Sequence, residues 1–202
     1  MKNMKITKLR LLILVILILF IIVLSIKVIE PFDTKLITSI VNKKKYLVQD
    51  YNNKQNAANM IGQLEVNIST FVNYLKKKYT SDARIKRLIG NLDDTVYEEA
   101  PHEDGESTYT INKGELMKIC LREKKANKPL HNINTLMFVV IHELAHVCTK
   151  SIGHTDEWMD NFRFLLTEAT KANIDYEAID YSKENMNYCG VEVTHNPYFN
   201  HR

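Results

Sequence analysis

The sequence predicts an α+β domain behind an N-terminal apolar helix. Three observations predict it. Residues Leu11 to Ile26 are apolar except for Ser25. Helical periodicity then alternates with short β-like runs over the middle of the chain. Finally, an uninterrupted helical pattern, LMFVVI-HELAH-VCTKSI, carries two histidines four residues apart.

The N-terminal run is flanked by Arg10 and Lys27. Its sixteen residues fall slightly short of the ~20 that cross a bilayer, but the flanking cations can snorkel and Val28-Ile29 extend the run. The competing reading is a cleaved signal peptide, with Val23 and Ser25 as cleavage context, yet no A-x-A-like site follows. Apolar on every face, the run does not suit a buried core helix. We therefore expect residues 1–30 to form a stub and a single-pass anchor, 31–53 a connector, and 54–202 the folded domain. Lys2, Lys5, Lys8 and Arg10 precede the span without an acid, although Lys27, Lys35 and Lys43–Lys45 follow it. The positive-inside rule leans toward an internal N-terminus and a translocated domain.

Next, Ala57, Ile61, Leu64, Ile68, Phe71, Leu75 and Tyr79 keep a helical period and predict a long amphipathic helix. Ser81 can cap a short helix bearing Ile85, Leu88 and Ile89. Asp93-Asp94 breaks the pattern, and a β-like region begins at Thr95–Tyr97. Residues 98–106, with Pro101, His102 and Gly105, read as a polar turn. Ser107–Asn112 and Glu115–Arg122 read as a hairpin joined by Asn112-Lys113-Gly114, with Met117, Ile119 and Leu121 on one face. The resulting order is helices, a small antiparallel sheet, then the histidine-bearing helix and a partner helix, Glu157–Ala172. Asn132 or Asn134 can cap the first of these helices, and Thr155 or Asp156 the second.

His142-Glu143-Leu144-Ala145-His146 is the stretch that carries chemistry. Residues four apart on a helix share a face, so both imidazoles can reach one metal ion, with Glu143 beside them to hold a water. Two histidines leave room for a third protein ligand and a water, the arrangement of a catalytic zinc site. Gly153, free to take φ > 0, can reverse the chain and return His154 to the face of His142 and His146. Glu168, on the following helix, is the rival third ligand. At the C-terminus, Tyr188, His195 and Tyr198 are the residues available to donate to an oxyanion, against a simpler role in packing the tail.

HELAH followed by His154-Thr155-Asp156-Glu157-Trp158 resembles the WLM and SprT-like zinc metallopeptidases, especially small membrane-anchored members of large DNA viruses. The similarity runs from about Ser107 to Tyr198, and includes TYTINKGELMKICLRE and YCGVEVTHNPY. It implies a zincin-like fold, one zinc ion held by His142, His146 and His154, and Glu143 as general base in peptide-bond hydrolysis. One departure is the seven residues between His146 and His154, where the WLM pattern has about five. In such peptidases the strand before the active helix often pairs with extended substrate, which makes Glu115–Arg122 the candidate edge.

Charge narrows the partners. The chain carries +3, but residues 1–30 hold five basic groups and one acid, leaving 22 basic and 23 acidic groups, a net −1, for the rest. Proteolysis on DNA, known among SprT-like relatives, needs a basic footprint, so nucleic acid is not an expected partner. A protein or peptide substrate and a viral or host membrane are. Three cysteines, Cys120, Cys148 and Cys189, form no C-x-x-C pair and suggest reduced structural thiols, with a Cys120–Cys189 bridge left open for a translocated domain. A catalytically inactive protein that keeps zinc as a structural staple is the alternative to the enzyme, and intact Glu143 argues against it. A non-peptidase zinc hydrolase is a weaker third class.

Overall fold

A computed structural model describes residues 13–17, 34–101 and 107–199. The apolar run expected to cross a membrane lies outside the described residues except for 13–17, which are helical and exposed. Among the described residues no helix is long and apolar enough to span a bilayer. His102, in the expected polar turn, also lies outside them.

The folded unit begins at Thr34. Within the stretch read as a connector, β1 (Thr34–Thr38) and β2 (Lys45–Gln49) pair as an antiparallel hairpin, Thr34 opposite Gln49 and Thr38 opposite Lys45. Tyr46 and Val48 of β2 are buried, so this hairpin belongs to the core rather than leading to it. It packs on α1 (Lys54–Lys78) at Gly62, where an added Cβ would come within 2.4 Å of Ser39 Oγ. The predicted stripe of α1, Ala57 through Leu75, is buried along its length.

Helix α2 (Ala83–Leu92) starts one residue later than the Ser81 cap implies, because Asp82 accepts the Arg84 N–H at 2.8 Å and is the cap. The sheet that follows departs from the antiparallel expectation. Its order is β3-β5-β4, with β3 (Val96–Glu99) parallel to β5 (Leu116–Ile119) and β4 (Tyr109–Ile111) antiparallel to it. The 109–119 hairpin forms as predicted. Asn112, Lys113 and Gly114 all take positive φ in its turn. β5 nevertheless lies in the middle, because β3 pairs along its other side. Glu115–Arg122 is therefore the central strand, and β3 and β4 are the edges.

Two further helices, α3 (Ile133–Cys148) and α4 (Asp156–Ala169), pack together with Phe138 and Phe162 rings 5.6 Å apart. Asn132 caps α3 by accepting the Thr135 N–H at 2.8 Å, and Thr155 caps α4. The chain closes with a hairpin of β6 (Met186–Tyr188) and β7 (Val191–Val193), then a 3₁₀ turn at Pro197–Phe199. Cys189 and Gly190 both sit at positive φ between those strands, as a two-residue I′-like turn requires.

Two links hold these layers together. Cys120, just after β5, is joined to Cys189 by a disulfide, which corrects the expectation of three reduced thiols. Sequence spacing could not bring together cysteines 69 residues apart. Cys148 is the buried free thiol, as expected. Arg122 and Glu99, each 1% exposed at the side chain, form an ion pair of 2.6 Å. Glu99 also accepts the Gln49 N–H at 2.8 Å, and the Arg122 guanidinium reaches Asn53 at the start of α1. Arg122 Nη2 is buried without a hydrogen-bond partner among the described residues, so the pair matters most through the cost of removing one member and leaving the other charge buried alone.

Candidate metal centre

Helix α3 supplies two of the three imidazoles, and the connection to α4 supplies the third. His142 and His146 lie one turn apart with ring centroids 5.0 Å apart. Nε2 of His154 is 3.1 Å from Nε2 of both His142 and His146. Nitrogens held by zinc at about 2.0–2.1 Å in a tetrahedron stand roughly 3.3–3.4 Å from one another, so this spacing suits one ion. A shared cation would use the lone pairs of all three ring nitrogens at once. Among the described residues, His142, His146 and His154 form the group that could hold a metal ion.

The polypeptide holds His154 there by specific contacts. α3 ends at Cys148, five residues before Gly153, with Thr149 as the cap. Gly153, at φ +82, makes the reversal further along the connection. Lys113, in the β4–β5 turn, donates through Nζ to the carbonyls of His146, Thr149 and Ser151 at 3.1, 2.9 and 2.8 Å. A cation at a helix C-terminus also meets the negative end of the helix dipole. From the other side the Glu157 carboxylate accepts the N–H groups of Lys150 and Ser151 and the Ser151 hydroxyl. Behind the rings Trp158 stacks on His146 at 5.1 Å and 27°, with His154 at 4.3 Å and His142 at 4.7 Å. Its indole Nε1 is buried without a partner among the described residues.

Electrostatics prepare the rings as ligands. Burial, then the nearby His146 and His154, push the His142 pKa down to about 3. Burial, then His154 and Lys113, push that of His146 down to about 4. Both imidazoles are thus neutral near neutral pH, the state that coordinates metal. Glu143 is 5% exposed, and burial raises its carboxyl to about 7 against the opposing hydrogen bonds of Thr110. The Thr110 hydroxyl donates to Oε2 at 2.9 Å, which ties the edge strand β4 to the motif.

Glu168, the rival ligand, is elsewhere. Its buried carboxylate accepts from Lys78 at 2.6 Å, Lys171 at 2.8 Å and the Tyr74 hydroxyl at 2.9 Å. Of the three C-terminal donors, Tyr188 is buried, with its hydroxyl donating to Cys120 O at 2.8 Å and bonded to Thr108. Tyr198 is half-buried and packs on the core. His195 is exposed and lines a groove shared with His142 and Glu143. Sequence reasoning missed Thr110, Lys113 and Glu157 as positioning residues. None of them lies in HELAH, and nothing local to Thr110 or Lys113 signals that either will reach α3.

The fold and site together define an α+β protein with a three-histidine centre on an HExxH helix. No family model matches the chain. It is 34% identical over 167 residues to uncharacterized protein R325 of Acanthamoeba polyphaga mimivirus, covering 80% of this chain and 83% of that protein, and it belongs to the same family. It is also 30% identical over 115 residues to uncharacterized protein 136R of Invertebrate iridescent virus 6, covering 56% and 60% of the two chains. Among solved structures it is similar to a Wss1 mutant from Saccharomyces cerevisiae, with a TM-score of 0.47 and 19% identity over 60% of this chain and 85% of that one. That likeness is too loose to bear on activity or substrate.

Proposed function

We propose that this chain is a zinc-dependent peptidase, tethered to a membrane by its N-terminal apolar run. The observation that carries the reading is the convergence of His142, His146 and His154 at ligand spacing, with Glu143 on the same helix and the same groove. A purely structural site has no use for a buried carboxylate at that position.

A zinc ion bound there supplies an electrophile for a scissile carbonyl and lowers the pKa of water toward about 7. The chain's own residues do the rest. Glu143 takes a proton from the attacking water as its oxygen bonds to the acyl carbon, then gives that proton to the amine as the C–N bond breaks. Thr110 holds the carboxylate in place for both transfers. The edge strand β4 and the adjoining Ser107 and Thr108, which line the groove, lie where an extended peptide would run beside Glu143. The tether is supported by the Leu11–Ile26 run alone.

The test is metal content and hydrolysis of unfolded protein by the full chain. About one zinc per chain, with cleavage lost on chelation and restored by zinc, supports the reading. A chain that retains no zinc overturns it.

A further inference from the structure

The groove that starts at the metal centre runs away from it between α3, α4 and the C-terminal hairpin. Its apolar walls are Phe138 and Val139 of α3, Met159 and Phe162 of α4, and Val191 and Val193 of β7. His142 and Glu143 line the same cavity, so whatever fills it lies next to the reacting groups. The cavity measures about 340 Å³, near the lower end of pockets that take small organic ligands, and suits one large side chain.

The polar groups around it are largely committed to the protein. The Tyr188 hydroxyl and Thr108 Oγ1 bond to each other, and Thr108 Oγ1 also accepts the Cys120 N–H. Glu143 holds Thr110, and Glu192 at the exposed rim accepts from Asn185 at 2.8 Å. No Lys or Arg lines the groove. An acidic side chain would therefore be desolvated there without a lysine or arginine counter-ion, and a polar one would find chiefly His195 at the exposed rim and the Trp158 indole N–H. An apolar side chain loses nothing on entry and gains by leaving water.

We propose that this groove is a specificity subsite, selecting a large aliphatic or aromatic residue at one position flanking the scissile bond. This rests on the peptidase reading. The far wall is the β6–β7 hairpin, fastened to β5 by the Cys120–Cys189 disulfide, so the subsite is shaped by a part of the chain remote in sequence from the motif.

Two measurements on the full, zinc-loaded chain test it. In the first, a randomised peptide library is cleaved and the residues flanking each cut are read. Leu, Met or Phe should exceed Gly, Asp and Lys at one flanking position by roughly 10–100-fold, the range a hydrophobic pocket can supply, and Val193→Asp should erase the preference while zinc content stays unchanged. Cleavage without a flanking preference, or with a preference for Lys or Asp, overturns the proposal. The second measurement follows the fluorescence of Trp158, the only tryptophan, which lines the groove. N-acetyl-phenylalanine amide and N-acetyl-leucine amide should give a saturable change that N-acetyl-aspartate amide does not, with or without zinc. If no peptide is cut, the peptidase reading fails by itself. The titration still judges the groove: a selective apolar response upholds the subsite, and equal or absent responses sink it.

Discussion

The hydroxyl of Thr110, in the middle of the edge strand β4, donates to Oε2 of Glu143 at 2.9 Å. The edge strand of the sheet thus fixes the carboxylate beside the three-histidine cluster. The link spans 33 residues of sequence and joins the two halves of the site, the sheet edge and the α3 motif.

Replacing that hydroxyl should alter positioning and leave the metal in place. Thr110→Val should fold, keep its zinc and lose roughly fivefold in hydrolysis, in line with the ~1 kcal/mol typical of one hydrogen bond. Thr110→Ser should restore most of the rate. Parallel measurement of zinc content and kcat checks this; a drop in zinc for Thr110→Val would place the residue in the metal site instead.

His154, not Glu168, completes the three-histidine cluster that could hold the metal, and Glu168 is bound up in ion pairs elsewhere. His154→Ala should weaken zinc binding strongly, whereas Glu168→Gln should keep it. Burial works against charge on Glu168, but hydrogen bonds from Lys171, Lys78 and Tyr74 outweigh it and hold the carboxyl at about 2, below its ordinary 4.5. A folded-state pKa depressed in this way stabilises the protein fully above about pH 4.5, and the contribution is lost as pH falls toward 2. Thermal melts of zinc-free protein should therefore show wild type losing more stability than Glu168→Gln between those limits. Parallel curves would remove the ion-pair account.

The Cys120–Cys189 bridge should matter for stability more than for metal. It closes a loop of 69 residues, for which chain entropy predicts roughly 4 kcal/mol. The Cys120→Ala/Cys189→Ala double variant should melt well below wild type, yet bind zinc, because neither cysteine touches the three histidines. Unchanged melting would mean that the bridge adds nothing to the fold.

Much of this was legible in the chain because it was local. The stripe of α1, the caps Asn132 and Thr155, the 109–119 hairpin and the three histidines all follow from periodicity and turn chemistry within a few residues. Apart from the cap of α2, which is Asp82 and not Ser81, the errors were long-range. Nothing near Glu115–Arg122 says that β3 will return parallel to it and make it the central strand. The burial of Arg122 against Glu99, the bridge between Cys120 and Cys189, and the reach of Lys113 to α3 each join residues that only the folded topology brings together. The 31–53 stretch read as a connector because β1 alternates weakly, its Leu36 standing exposed while the buried face lies on β2.

The most direct test of the central claim is hydrolysis of unfolded protein substrates by Glu143→Gln beside wild type, both loaded with zinc. Glu143 is not one of the three convergent ligands, so the variant should remain folded with about one zinc per chain. Loss of the base should lower the rate by roughly 10²–10⁴-fold. A variant that is folded, zinc-loaded and inactive is the predicted result. Equal hydrolysis by the two proteins, or none by wild type across a broad set of substrates, would contradict the account and leave a zinc-stapled structural protein in its place.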